Sequence, residues 1–110
     1  MCLGPSRLAF EVFERAQIGC TVLDVRGEID LESADRLWAH VERAIVSGQG
    51  DVVVDLSPVT FFDSAGLAVL IKAHRRLNGT RRRVIVRRPS DNVRRVLDIS
   101  GLSDLIMIED

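Results

Sequence analysis

The chain has 110 residues, 46% of them hydrophobic and 28% charged, and 15 basic groups against 16 acidic ones leave a net charge of −1. That length fits one domain that buries roughly 60–70% of its unfolded surface, with no apolar run near the ~18 residues of a membrane span. The opening Met1-Cys2-Leu3-Gly4-Pro5-Ser6-Arg7 lacks a secretion signal's apolar stretch, so the expectation is a cytoplasmic globular domain with no membrane partner.

In chain order, Leu8, Phe10 and Val12 alternate with Ala9 and Glu11, the period of a half-buried strand. Thr21, Leu23 and Val25 repeat that period beyond Gly19. Two antiparallel strands joined by a turn near Gln17–Gly19 are predicted. The period then changes. Ala34, Leu37, Trp38, Val41 and Ile45 share one face of a helix of about 16 residues. Glu32 and Asp35 sit in its first turns, where the helix dipole favours negative charge, and Gly48 and Gly50 end it.

Val52-Val53-Val54 is continuous rather than alternating, as in a strand covered on both faces. The stretch from Asp55 to Phe62 leads into a second helix, with Leu67, Leu70, Ile71 and Leu77 on one side and Asn78-Gly79 as its close. Val84-Ile85-Val86 reads as another short strand. Ser90 then serves as N-cap of a third helix that turns Val93, Val96 and Leu97 inward and stops at Gly101. Leu105 to Ile108 makes the last strand. The order β-β-α-β-α-β-α-β predicts one α/β domain with its core over about 8–108. Its sheet is mixed, with an N-terminal antiparallel hairpin, parallel pairing through right-handed crossovers, and three to four helices.

Charge is uneven along the chain. Residues 1–74 carry a net of −5, residues 75–95 carry nine arginines against Asp91 for +8, and residues 96–110 return −4. A basic block of this kind suits nucleic acid, a nucleotide or an acidic partner. The general preference for arginine, 14 against one lysine, favours a plain solvated face instead. All four phenylalanines precede residue 63 and tyrosine is absent, which leaves poor stacking platforms for a single strand. Cys2 and Cys20 are too few for a disulfide framework, and no cysteine–histidine cluster has zinc-ligand spacing. Cys20 reads as a small buried hydrophobe, with a redox role for the pair as the other reading.

Function in open α/β sheets gathers beyond the carboxyl ends of strands and at helix N-termini, which singles out Asp55 to Leu67. Asp63 suits an N-cap, leaving the amides of Ala65, Gly66 and Leu67 as donors, with the Ser64 hydroxyl near the surface. Gly66 would let another molecule approach the backbone; the plainer reading is a capped helix with a packing glycine. No catalytic set surrounds Ser64. It lies outside a G-x-S-x-G elbow, and His40 and His74 have no acid at a recognisable spacing. Phosphate-loop motifs are missing. Asp55 at a strand end suggests a phosphoaspartate receiver, but the acidic pair and late lysine of such domains are not there, Lys72 being the one lysine. An enzyme is not expected.

Three blocks, Gly27-Glu28-Ile29-Asp30-Leu31, Val52-Val53-Val54-Asp55-Leu56-Ser57 and Val59-Thr60-Phe61-Phe62-Asp63-Ser64-Ala65-Gly66-Leu67, resemble the STAS-domain anti-sigma factor antagonists. The closing Val93-Arg94-Arg95-Val96-Leu97 with Gly101-Leu102 is also similar, so the likeness runs from about Leu8 to Ile108. It implies a non-enzymatic switch without a cofactor of its own. In that family the unphosphorylated domain binds an anti-sigma factor, itself a serine kinase that carries the ATP site, and frees the sigma factor. Phosphorylation of the serine matching Ser64 ends the interaction, and a PP2C-type phosphatase reverses it. The partner surface implied is Asp30, Thr60, Asp63, Ser64, Ala65, Gly66 and Leu67. Many members carry a second hydroxyl residue where this chain has Ala65, which leaves Ser57 and Thr60 as the nearby alternative acceptors. Relatives also serve as interaction modules of other signalling and transport complexes.

Overall fold

The computed structural model describes residues 10–110. Leu8, Ala9 and Cys2 of the sequence reading lie outside them. Strand β1 (Glu11–Gln17) turns back at Ile18-Gly19 into the long strand β2 (Cys20–Ile29). The two pair antiparallel from Glu11↔Arg26 to Gln17↔Cys20, so the predicted turn stands and β1 runs five residues beyond Val12. Helix α1 (Leu31–Ser47) follows. Asp30 caps it, accepting from the amides of Glu32 and Ser33 at 3.1 and 3.0 Å, while the Ser33 hydroxyl accepts the Asp30 amide at 2.9 Å. This reciprocal pair satisfies orphan donors on both sides of the helix start.

Strand β3 (Asp51–Asp55) lies parallel to the first half of β2. The next element was not predicted. Residues 59–62 form a short strand, β4 (Val59–Phe62), parallel to the second half of β2. The ladder slips between Gly27 and Glu28, where Gly27 takes φ +94°, a conformation costly for any residue with a Cβ. β2 therefore serves two partners in succession: β3 along its start and β4 along its end. The rest of the chain is α2 (Ser64–Leu77), β5 (Val84–Arg87), α3 (Asp91–Ser100), a 3₁₀ turn at Leu102–Asp104 and β6 (Met107–Glu109). The sheet order is β1-β2-β3-β5-β6, with β4 joined to β2. The mixed sheet, antiparallel hairpin and three helices agree with the sequence reading; the last strand starts at Met107 because Leu105 and Ile106 complete the turn.

Alternation along the strands sorts two layers. Leu23, Val25, Val52, Val54, Val84 and Val86 join Leu37, Val41, Leu70, Ala73, Val93 and Leu97 of the helices in one large core. On the opposite face Val22, Val53 and Ile85 form a small cluster that contains no helical residue. The continuous valines of β3 thus bury on both sides, and only one side meets helices. Trp38 packs half-buried against the large core. On α2 the buried face is Gly66, Val69, Leu70, Ala73 and Leu77. Leu67 and Ile71 sit on its flank, half-buried, because the helix is rotated to press Gly66 against the sheet.

Candidate functional site

Ile29 and Phe62 are register partners at the ends of β2 and β4. The next residues, Asp30 and Asp63, are the N-caps of α1 and α2. Two helices therefore begin from neighbouring strand ends, and the predicted site residues gather there. Asp63 accepts from the Ala65 amide at 2.9 Å through its carboxylate and from the Leu67 amide at 3.2 Å through its carbonyl. Two of the three amides expected to stand open are thus already taken.

Ser64, the first residue of α2, is exposed, and its hydroxyl has no hydrogen-bond partner among the described residues. The neighbouring hydroxyl residues sit differently. Ser57 donates its amide to the Asp55 carboxylate at 3.0 Å. Thr60 donates weakly to the Gly27 carbonyl at 3.4 Å. Ala65 is half-buried beside Ser64.

Gly66 is buried. A Cβ there would lie 2.8 Å from Cδ1 of Phe62 and nearer still to Cε1, well inside contact distance. The missing side chain makes room for this chain's own aromatic ring, so the packing reading of Gly66 is the one the geometry supports.

Residues at the start of α3 also hold β4. The Ser90 hydroxyl donates to the Val59 carbonyl at 2.8 Å, and the Asn92 side-chain amide donates to the Thr60 carbonyl at 3.0 Å. Ser90 is the N-cap by position, as expected, but makes no capping bond with its side chain. Sequence spacing gave no sign of this use of Ser90 and Asn92. Phe61 and Leu31, exposed at 46% and 80%, also escaped notice as surface features of the site. Leu31 directly follows the Asp30 cap, and Phe61 stands two residues before the Asp63 cap.

The arginine block is largely answered from within. Arg76 meets Glu42, Arg83 meets Asp51, Arg87 meets Glu109, Arg88 meets Asp55, and Arg94 meets Asp110. Arg82 donates to the carbonyls of Ala44, Ile45 and Gly50, closing the end of α1. Only Arg75, Arg81 and Arg95 of the block lack an ion pair or hydrogen bond among the described residues. A run of charge in sequence is therefore a set of local ion pairs in space.

Asp55 is the one buried carboxylate among the described residues. Burial pushes its carboxyl up, but bonds from Arg88 (2.5 Å) and from Ser57 outweigh that and hold it below the usual carboxylate range. Arg88 reaches it from a left-handed backbone, φ +46°, uncommon for a residue with a long side chain.

The family model described as Mlab, STAS domain, matches residues 12–109. The anti-sigma-B factor antagonist of Listeria monocytogenes is 33% identical over 85 residues, which cover 77% of this chain and 75% of that protein. The chain belongs to the STAS-domain anti-sigma factor antagonist family. An anti-sigma factor antagonist from Mycobacterium paratuberculosis superposes with a TM-score of 0.81 at 26% identity, covering 92% of this chain and 86% of that one. The phosphorylated form of the Bacillus cell fate determinant SpoIIAA superposes at 0.69, with 26% identity and 93% and 92% coverage. These STAS relatives are named as antagonists, that is, as binding regulators rather than enzymes. Among the described residues of this STAS domain, no helix is long and apolar enough to cross a membrane.

Proposed function

We propose that this STAS domain is an anti-sigma factor antagonist switched by phosphorylation of Ser64. In the unphosphorylated form it binds an anti-sigma factor that is also a serine kinase, and the sigma factor is released. The kinase, which supplies the ATP site, transfers phosphate to Ser64 and ends the complex; a PP2C-type phosphatase restores it. The observation that carries the reading is the free, exposed hydroxyl of Ser64 at the start of α2. It is supported by the phosphorylated state in which the related SpoIIAA was solved.

Physical chemistry supplies the off-switch. A phosphate adds about −1.5 to −2 charge at pH 7, next to the Asp63 carboxylate. Burying that charge at an interface without a new cation costs several kcal/mol, and each 1.4 kcal/mol is about tenfold in affinity. Asp30, Thr60, Asp63, Ala65 and Leu67 would frame the contact, with Gly66 shaping it from beneath.

The test uses the purified chain, ATP and anti-sigma serine kinases of the same genome. Labelling should vanish in Ser64→Ala, which should still bind the kinase, while Ser64→Asp should bind weakly. Labelling that persists in Ser64→Ala, or equal affinities for all three proteins, overturns the assignment.

A further inference from the structure

Directly behind Ser64 an apolar groove of about 190 Å³ runs between α1 and α2. Ala65 and Ala68 of α2 and Leu31 and Trp38 of α1 line it, with Asp35 and Lys72 at its edge. Three features set it apart from ordinary surface. Leu31 is 80% exposed at the first position of α1, although burial of such a side chain is favourable. The Lys72 ammonium rests 4.4 Å from the Trp38 ring centroid and makes no ion pair among the described residues. Asp35, on the opposing helix, has no ion pair among them either. An apolar centre edged by two unanswered opposite charges is the anatomy of a protein contact.

We infer that this groove seats one large apolar side chain from a helix of the anti-sigma factor. That helix would also carry an acidic residue for Lys72 and a basic one for Asp35. The inference rests on the proposed function and adds to it a specific anchor. The size fits, since an apolar cavity of about 150 Å³ holds a benzene ring. The small Ala65 and Ala68 side chains let a second backbone approach α2 closely. Charge selects the occupant, because a purely apolar partner would desolvate Lys72 and Asp35 without supplying a counter-charge to either. Continuity does the same: Ala65, which lines the groove, is the residue after Ser64, so one partner can cover the switch and the anchor together.

Trp38 is the only tryptophan, which makes fluorotryptophan a reporter of this groove alone. The fluorine resonance is followed while the full chain is titrated with the anti-sigma kinase that labels Ser64. The expected result is a resonance shift on binding, and a tenfold or greater loss of affinity in Ala68→Glu, an exposed position. Leu31→Ala, also exposed, should weaken binding several-fold and serves if Ala68→Glu folds poorly. A wild type that binds in a Ser64-dependent way with an unmoved resonance and unaffected variants removes the groove but leaves the function standing. A wild type that binds no anti-sigma factor removes both. A shift that follows the chain's own concentration without the kinase names a second copy as occupant and overturns the inference.

Discussion

The Ser90 hydroxyl lies 2.8 Å from the carbonyl of Val59 and leaves its own helix without a side-chain cap. A serine at a helix start ordinarily turns its oxygen to the amides of the first turn. Here it acts as a donor across to β4, a strand of four residues with a single strand partner. The peptide that leads to Asp63 and Ser64 is thereby held by α3's first residues as well as by β2.

Ser90→Ala should therefore destabilise the chain by about 1–3 kcal/mol, the usual cost of leaving a buried carbonyl unsatisfied, with no capping loss added. The loosening should be local. Amide hydrogen exchange over residues 59–65 should accelerate more than exchange in β3 or β5. Uniform acceleration across the sheet would mean that the bond serves global stability alone.

The start of α2 was legible because Asp-Ser-x-Gly after a strand has a direct physical reading: a cap, an exposed hydroxyl and a close approach. What Gly66 approaches was not legible. Phe62 lies four residues earlier, and only the three-dimensional path of β4 brings its ring under the helix. β4 itself escaped because Pro58 precedes it and its burial pattern, in at Val59 and Phe62 with Thr60 and Phe61 exposed, is not the period of a strand. Of the α2 stripe, Leu70 and Leu77 are buried, while Leu67 and Ile71 pack half-buried against the core. Leucine and isoleucine carry more weight in a periodicity than glycine and alanine, yet here the small residues face the sheet. The basic block reads as a plain solvated face, and what the sequence does not reveal is that Asp51, Asp55 and Glu109 lie across from it.

Replacing Gly66 with alanine should cost several kcal/mol, because the added methyl meets the Phe62 ring and neither helix nor strand can yield freely. A double variant that also trims the ring, Phe62→Leu, should recover part of the loss. Unfolding midpoints of the four proteins give the coupling energy. Strict additivity would place the strain elsewhere.

Leu70 is 1% exposed in the large core, whereas Ile71 is half-buried on the flank of α2. Leu70→Ala should cost about 2–5 kcal/mol, as for other buried leucines, and Ile71→Ala clearly less. Urea titration ranks them directly. Equal losses would contradict the rotation of α2 described above.

Asp55 links stability to pH. Its folded carboxyl titrates below the ordinary value of about 3.9, so the ionised form is the one folding favours. The contribution is fully present above that ordinary value and fades as pH falls through the folded one. Asp55→Asn should lower stability at pH 7, and the gap from wild type should narrow toward pH 3. Arg88→Ala should be as damaging near neutrality, since it strands a buried carboxylate. A gap that stays constant with pH would show that the pair acts through packing rather than charge.

Phosphorylation of Ser64 should change the melting temperature little, which separates an interface switch from an unfolding switch. Two terms decide this. The new charge sits one residue from Asp63, which is unfavourable, and it sits in the first turn of α2, where the dipole returns about 0.3–1 kcal/mol. The Ala65 and Leu67 amides are already bonded to Asp63, so they offer the phosphate less than an open helix start would. Repulsion should therefore win slightly, by no more than about 1 kcal/mol at an exposed position. For a domain of this size that is a fall of roughly 4–8 °C at most. Added salt should shrink it further, because both charges face solvent. Calorimetry of the phosphorylated and unphosphorylated chains at low and high salt measures it. A fall of 15 °C or more, insensitive to salt, would mean that the phosphate breaks the Asp63 cap and that loss of fold, not loss of fit, ends the partnership.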